Sequence, residues 1–262
     1  MKIVVCIKQV PGTTEVSIDP ETKRLVREGV EAVLNPFDLY AVEEAVHMTE
    51  KVGGSTVVLS MGPPQAEASL REALACGADE AILLSDRTFA GSDTWATSYA
   101  LACAVRKIGD VDVVICGKQA VDGDTAQVGP GIAAHLGWPQ ATYVSECRTV
   151  GEHALRVCRM HEDGHDVVEV DLPAVLTVVK DINQPRVPTL LSCLASRKAD
   201  VKVWTAADLD ADAAVLGLNG SPTRVVKTNP PPPRENETVI ISGDAGACAA
   251  RLVHELRMRS MV

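Results

Sequence analysis

The sequence VDVVICGKQAVDGDTAQVGP, residues 111–130, joins an apolar run to a polar loop rich in small residues. The run at 111–116 is mostly apolar, which is typical of a strand in a parallel sheet with helices on both faces. In open α/β sheets, ligands bind at the carboxyl ends of such strands. Pro130 is a favoured first residue of a helix, so a helix over 131–136 should direct free backbone amides at the loop. The segment therefore predicts a nucleotide or anion site, although its composition fits an ordinary strand-to-helix loop equally well.

On either side of this segment, short apolar runs alternate with helical patterns. The predicted strands of this region are 3–8, 55–61, 81–84 and 111–116, and the predicted helices are 36–52, 65–76 and 92–108. Later strands are expected at 141–150, 154–161, 166–170 and 172–180, with a hairpin turn at Asp163 and Gly164. The order predicts an α/β fold: an open, mostly parallel twisted sheet with crossover helices, an antiparallel extension and a C-terminal arm.

The C-terminal third has a different character. A short exposed apolar-basic segment is expected at 189–198. Residues 205–236, which include four consecutive prolines at 230–233, predict an extended linker. A single helix is expected at 244–259. Because a lone helix cannot bury its own apolar face, the pattern favours docking on a partner subunit. The predicted divisions are 1–183, a nucleotide-binding α/β domain; 184–204, a recognition loop and return strand; 205–236, the linker; and 237–262, the arm.

Composition excludes several classes of protein. The net charge of −10 argues against a nucleic-acid surface, which needs clustered positive charge. No apolar run approaches the roughly 20 residues of a membrane span, and the chain enters a strand at once, so a cytoplasmic protein is expected, with a matrix-type compartment left open. The eight cysteines include no C-x-x-C pair, which predicts reduced thiols and no metal site.

Two motifs resemble catalytic or cofactor signatures and are interpreted otherwise. The residues HEDGH at 161–165 match the zinc-protease pattern H-E-x-x-H, but Asp163 and Gly164 inside it favour an exposed turn over a helix. The residues GPGIAA at 129–134 fit G-x-G-x-x-A only loosely, because they follow a strand after a long polar loop. No phosphate loop of the type G-x-x-x-x-G-K-[ST] occurs, which argues against a nucleotide-hydrolysing or ligase enzyme.

Asn35, Pro36, Phe37 and Asp38 precede or open the first predicted helix. Asn35 fits the N-cap position, with Pro36 as the first helical residue. The alternative is that Asn35 or its neighbours contact an adenine. The residues by themselves favour the cap.

Taken together, these segments resemble one family. CIKQVP at 6–11, NPFDLYAVE at 35–43, MGP at 61–63, GADEA at 77–81, the loop 117–130 and NQPR at 183–186 with Thr189 and Leu190 are similar, in order, to the electron-transfer flavoprotein β subunit. The resemblance implies an adenine-nucleotide α-hydrolase-like fold and an obligate heterodimer with a flavin-carrying α subunit, on which the C-terminal arm would dock. It also implies that Leu190 anchors a dehydrogenase partner.

The resemblance implies nucleotide contacts by position. They are Cys6, Asn35, Pro36, Phe37, Asp38, Met61, Gln119, Ala120, Val121, Asp122, Gly123, Asp124, Thr125, Ala126, Gln127, Val128, Gly129 and Pro130. Cys6 stands where the family usually has a small residue. No catalytic residue is expected, because the flavin carries the electrons and the protein positions and tunes it. Asp122 and Asp124 are interpreted as loop-shaping acceptors, and the subunit alone is not expected to be an enzyme.

Members of this family are of two kinds, and the loop favours one. In one kind the β subunit holds AMP as a structural ligand and the complex serves acyl-CoA dehydrogenases. In the other it holds a second FAD, and the complex oxidises NADH and divides the electrons between a dehydrogenase and a low-potential acceptor such as ferredoxin or flavodoxin. The AMP kind resembles D-D-D-x-N-Q-T-G, whereas this loop has Gly123 between Asp122 and Asp124. The loop therefore favours FAD, with AMP as the alternative, and residues 10–14 and 117–130 are expected to frame the side open to NADH.

Overall fold

The computed structural model describes residues 1–12, 32–150, 153–226 and 238–262. The chain divides into two compact units, Met1–Arg224 and Val225–Val262. Residues 13 and 14 of the expected NADH-facing segment, and the four prolines of the expected linker, lie outside the described residues.

The first unit is built on a nine-stranded sheet. Its strands, with the small β2–β3 pair, are β1 Lys2–Cys6, β2 Gln9–Pro11, β3 Ala32–Leu34, β4 Ser55–Met61, β5 Glu80–Leu84, β6 Val113–Gly117, β7 Gln140–Val150, β8 Ala154–His161, β9 Gly164–Asp171, β10 Ala174–Val178 and β11 Val201–Trp204. The order across the sheet is β11-β5-β4-β1-β6-β10-β7-β8-β9. Every pairing from β11 to β7 is parallel, and β7-β8 and β8-β9 are antiparallel. The α/β fold and its antiparallel extension are therefore confirmed.

Helices cover both faces of the parallel strands. They are α1 Pro36–Val52, α2 Glu67–Ala75, α3 Thr94–Ile108, α4 Val128–Leu136, α5 Leu190–Ser196 and the four-residue α6 Gly217–Gly220. Because side chains alternate across a strand, Ile3 and Val5 of β1 pack in the core under α1 and α2, while Val4 and Cys6 pack under α3 and α4. The parallel strands are apolar on both faces for this reason.

Local signals set several boundaries. Helix α1 spans the predicted residues 36–52, with Pro36 in its first turn and Gly53 at its C-cap at φ +81°. The predicted strand 3–8 ends at Cys6, and the chain then forms β2, which pairs with β3. Helix α4 begins at Val128, so the prediction that Pro130 is its first residue is wrong: Gln127 occupies the N-cap position.

The segment after β11 is not an extended linker over its first part. Residues 205–220 form short helical turns, and Leu209 and Leu216 are buried against the core of the first unit. Its Asp and Ala content predicts a linker, but Leu209 and Leu216 attach it to the core while most of its other residues stay exposed or half-buried. No helix of the described residues is long and apolar enough to cross a membrane.

In the second unit, the described residues form one helix, α7 Ala245–Met258. Asp244 caps it by accepting a hydrogen bond from the Ala247 amide at 2.9 Å. None of its residues is buried, and Leu252, Val253 and Met258 are exposed. The helix predicted at 244–259 is confirmed, and its apolar side chains remain open to solvent.

Candidate functional site

A cavity of about 820 Å³ opens at the carboxyl ends of four adjacent parallel strands, β1, β4, β5 and β6. This is the edge at which open α/β sheets bind ligands, and the volume lies in the upper part of the roughly 300–1,000 Å³ range of small-molecule sites. Two loops form its walls. One is the polar loop after β6, and the other, residues 85–92, follows β5.

Close backbone packing forms the base of the cavity. A Cβ added at Gly117 would lie 2.4 Å from Oδ1 of Asp38, and one added at Gly129 would lie 2.4 Å from Cγ2 of Thr177. Neither glycine has a left-handed φ. The positions therefore require glycine for space and not for backbone freedom, and they let β6 pack closely on the start of α1 and the start of α4 pack closely on β10.

Asn35 fixes the polar loop from beneath. Its side chain is fully buried, donating from Nδ2 to the carbonyl of Gln119 at 2.9 Å and accepting at Oδ1 from the amide of Val121 at 3.2 Å. Asn35 occupies the N-cap position of α1, but its side chain makes no capping hydrogen bond. The amide of Asn35 therefore joins the start of α1 to the loop after β6, and the N-cap interpretation holds for position only.

Asp38 lies on the first turn of α1 and contacts the ends of two strands. Its Oδ2 accepts from the amide of Lys8 at 2.7 Å, and a second backbone hydrogen bond comes from Gly117. Burial raises the pKa of this carboxyl from 3.8 to about 7, although the hydrogen bonds from Asn35, Lys8 and Gly117 act in the opposite direction. Asp38 therefore sits at the cavity as a carboxyl that titrates near neutral pH.

Charged and polar side chains stabilise the rim of the polar loop. Lys8 forms an ion pair with Asp122, and the amide of Gln119 donates to Asp124. Asp124 and Ala126 have φ of +54°, a left-handed conformation that tightens the turn before α4. Pro130 has no N–H and the amide of Gly131 donates to the Gln127 carbonyl at 2.9 Å, so the helix amides without a partner inside α4 are those of Val128 and Gly129, and both residues line the cavity.

Lys118 contributes a positive charge to the wall. Its Nζ lies 5.8 Å from the ring centroid of Phe37 and 5.3 Å from that of Tyr143. Contact with aromatic faces stabilises an ammonium without neutralising it. Arg87 lines the opposite wall. The cavity thus combines helix-terminal amides with cations on two sides, an arrangement that suits a phosphorylated ligand.

Comparison with known proteins identifies the family. The model of the electron transfer flavoprotein domain matches residues 22–209. The chain belongs to the electron-transfer flavoprotein family. Relatives include the electron transfer flavoprotein subunit beta of Thermoanaerobacterium thermosaccharolyticum, 51% identical over 263 residues and covering 100% of both chains. Subunit CarD of the caffeyl-CoA reductase-Etf complex of Acetobacterium woodii is 44% identical, also over 100% of both chains. Protein FixA of Azorhizobium caulinodans is 44% identical, over 99% of this chain and 95% of its own.

The chain is therefore an electron-transfer flavoprotein β subunit with a role in electron transfer, and this assignment implies an α-subunit partner. Many of the nucleotide contacts implied by the family line the cavity. They are Cys6, Asp38, Met61, Gln119, Ala120, Thr125, Ala126, Gln127, Val128 and Gly129. Others lie behind or beside the lining: Asn35, Pro36, Phe37, Val121, Asp122, Gly123, Asp124 and Pro130. Of these, Asn35, Asp122 and Phe37 contact lining residues and shape the wall.

Sequence reasoning missed the second wall. Seven residues of the loop 85–92, all except Thr88, also line the cavity, as do Pro64, Thr97, Leu101 and Cys116. The loop after the predicted strand 81–84 could have suggested part of this wall, because it leaves the carboxyl end of a strand and contains Gly91. This loop reaches the cavity only because β5 pairs with β4, and that pairing joins residues that are distant in the sequence. Val10, expected at the NADH-facing side, is buried and does not line the cavity.

The other sequence features lie away from the cavity. His161 ends β8 and His165 lies on β9, so the H-E-x-x-H residues form the predicted hairpin turn and no zinc-protease helix. All eight cysteines carry free thiols. Leu190 is 76% exposed on α5 and does not line the cavity.

Proposed function

We propose that this β subunit binds FAD and belongs to an electron-bifurcating flavoprotein, which takes electrons from NADH and delivers them through the α-subunit flavin to a dehydrogenase and a low-potential acceptor. The observation that carries the proposal is the cavity of about 820 Å³, which extends from the polar loop to the second wall at residues 85–92. A mononucleotide needs only the loop and the start of α4. The second wall favours a larger dinucleotide.

The residues present fit a flavin dinucleotide. FAD would supply the redox chemistry when bound, and the protein would supply binding, orientation and electrostatics. The amides of Val128 and Gly129 at the start of α4 would donate hydrogen bonds to one phosphate, and Lys118 and Arg87 would offset the additional charge of a diphosphate. Gly123 lies beside the lining with nothing within 4 Å of an added Cβ, so the loop presents neither a side chain nor a charge there.

Cofactor content tests this proposal directly. The purified heterodimer would be denatured and its released FAD and AMP counted per dimer. We expect two FAD and no AMP. One FAD with one AMP would overturn the proposal and assign the chain to the conventional kind, whose β subunit holds structural AMP and serves acyl-CoA dehydrogenases.

NADH use is a separate part of the proposal and needs its own test. The name of the relative CarD places that protein in a caffeyl-CoA reductase complex, which supports an assembly of this chain with a reductase or dehydrogenase of CoA substrates. We expect NADH to bleach the flavin absorbance of the anaerobic heterodimer. A heterodimer reduced by dithionite but not by NADH would contradict this part and favour the AMP alternative.

Two surfaces are assigned to partners in this proposal. The exposed Leu190 would anchor the dehydrogenase, and the arm carrying α7 would dock on the α subunit, since its apolar side chains are unburied. Ferredoxin or flavodoxin would serve as the low-potential acceptor. The eight free thiols support a reducing, cytoplasmic setting.

A further inference from the structure

The segment 183–199, which we call the docking segment, places several apolar side chains in solvent. Val187 is 88% exposed, Leu190 76%, Leu191 79% and Leu194 46%. Its helix α5 has only seven residues. A helix this short is unstable by itself in water, so its orientation must be set by contacts with the rest of the domain.

Arg186 makes several of these contacts, all of them hydrogen bonds to two glutamates of α1. Its Nε and Nη2 donate to Glu43 at 2.8 and 3.0 Å, while its Nη1 and Nη2 donate to Glu50 at 2.8 and 3.1 Å. The backbone amide of Arg186 also donates to Glu43 at 3.0 Å. Glu43 and Glu50 are seven residues apart on α1, which places both on one face of the helix. Two carboxylates of α1 therefore bind the one guanidinium of Arg186.

The environment makes this contact stronger than an ordinary surface ion pair. The Glu43 side chain is only 13% exposed and that of Arg186 is 34% exposed, and both pairs are bidentate. Hydrogen bonds from Arg186 lower the pKa of Glu50, and the two carboxylates raise the pKa of Arg186. Lysine could not reproduce the arrangement, because a point charge lacks the planar fork.

The two ends of the docking segment are held separately. At the start, Nδ2 of Asn183 donates to the Tyr40 carbonyl at 3.0 Å. At the end, Nη1 of Arg71 on α2 donates to the carbonyls of Ser196 and Ala199 at 2.6 and 3.1 Å. Between these attachments, Arg186 is the residue that joins the approach to α5 to the side of α1.

We propose that Arg186 is a positioning residue: its double fork on Glu43 and Glu50 fixes the direction in which the leucines of α5 face, and so sets the affinity for the dehydrogenase. The inference rests on the proposed docking role of Leu190. A segment released from α1 must be ordered again when the partner binds, and that ordering subtracts from the binding free energy. Electron transfer to small acceptors needs no docking and should not depend on Arg186.

The test compares heterodimers carrying Arg186→Ala, Arg186→Lys, Leu190→Ala and Arg156→Ala. Arg156 pairs with Glu169 on the β8–β9 hairpin and serves as the matched control for an arginine-carboxylate pair away from the segment. The probe is a purified short-chain acyl-CoA dehydrogenase from the same source organism. Its KM and kcat as electron acceptor would be measured beside the rate with the dye dichlorophenolindophenol, and hydrogen exchange would report the order of residues 184–196.

We expect Arg186→Ala to raise KM for the dehydrogenase about tenfold, equivalent to about 1.4 kcal/mol, with kcat and dye rate unchanged and faster exchange over 184–196. Arg186→Lys should restore part of the loss, and Arg156→Ala should match the wild type. If Arg186→Ala does not fold, Glu50→Gln removes the charge and one of the two acceptor oxygens that Arg186 meets at this exposed position, and it should raise KM by a smaller factor.

The outcomes separate the inference from its premise. An unchanged KM in Arg186→Ala, with a raised KM in Leu190→Ala, would overturn the positioning role alone. An unchanged KM in Leu190→Ala would overturn the docking role on which the inference rests. A fall in the dye rate or in bound nucleotide for Arg186→Ala would show a general structural role and would also overturn the inference.

Discussion

The base of the cavity and the docking segment lie on the same domain but are stabilised by different interactions. At the cavity, the packing around two glycines leaves no space for a side chain at either position. The buried side chains of Asn35 and Asp38 form hydrogen bonds with backbone amides and carbonyls there. At the docking segment, Arg186 binds carboxylates of α1, Arg71 of α2 binds backbone carbonyls of the segment, and the leucines are exposed. The difference teaches that the proposed ligand site depends on close packing, while the proposed docking surface depends on ion pairs that leave its apolar side chains exposed.

The largest expected effect concerns the buried carboxyl at the cavity. Because burial raises the pKa of Asp38 from 3.8 to about 7, its protonated form is favoured in the folded state. The contribution to stability is complete below the unfolded pKa and is lost as pH rises through the folded pKa. Each pKa unit is worth about 1.4 kcal/mol, so this group should lower the free energy of unfolding by about 4 kcal/mol from about pH 4 to about pH 7.

Urea unfolding of wild type and Asp38→Asn across this pH range checks the expectation, since the difference between the two curves isolates Asp38. Asp210→Asn, at an exposed position, should track the wild type. Parallel curves for wild type and Asp38→Asn would mean that the carboxyl is not protonated at neutral pH.

The next effect is steric. Gly129→Ala places a Cβ 2.4 Å from Cγ2 of Thr177, and overpacking of this kind costs about 1–3 kcal/mol. Loss of bound nucleotide should accompany the loss of stability. Thr177→Ser removes the methyl group but keeps the hydroxyl that accepts from the Tyr143 amide, so the double variant should recover. Gly123→Ala meets nothing within 4 Å and should leave the melting temperature unchanged.

Asn35→Ala should lower the free energy of unfolding by a similar or smaller amount than Gly129→Ala. The variant leaves the Gln119 carbonyl and Val121 amide without their partner, and an unsatisfied buried polar group costs about 1–3 kcal/mol. Nucleotide should dissociate faster, because the loop loses its attachment to α1. Stopped-flow release measures this rate, with the exposed Asn219→Ala as control. Unchanged release would show that the loop holds its shape without Asn35.

The smallest effect on stability is expected at the docking segment. Leu190→Ala removes an exposed side chain, and surface changes of this kind are usually within about 0.5 kcal/mol. Leu216→Ala, at a buried leucine of the same domain, should cost about 2–5 kcal/mol. Thermal unfolding of both variants compares them. A large destabilisation by Leu190→Ala would mean that this leucine packs on the domain and is not a free surface.

The parts of the fold that the sequence predicts best are those with local signals. Helix α1 has the predicted bounds 36–52 and opens at Pro36, and the hairpin turn lies at Asp163 and Gly164 as predicted. The fold class followed from alternating apolar runs, because parallel strands must be covered on both faces. The position of the loop 117–130 at the cavity was predictable because the loop leaves the carboxyl end of a buried strand.

The parts that were missed depend on non-local packing. Residues 85–92 form a wall only because β5 lies beside β4, which no local pattern states. Residues 205–220 pack on the core through Leu209 and Leu216, whose contribution a polar composition conceals. Asn35 was expected to cap α1, but its side chain turns to Gln119 and Val121, since the partner loop supplies both a carbonyl and an amide.

Helix α1 carries side chains of both proposed sites. Its first turn carries Asp38 at the cavity, and its side carries Glu43 and Glu50 under Arg186. A residue inserted between Asp38 and Glu43 would rotate everything downstream by about 100°, because an α-helix has about 3.6 residues per turn. Such an insertion would leave the nucleotide end in place and turn both glutamates away from the arginine. The number of residues between Asp38 and Glu43 thus fixes the direction of the two glutamates relative to Asp38. Natural insertions should therefore be rare in this stretch.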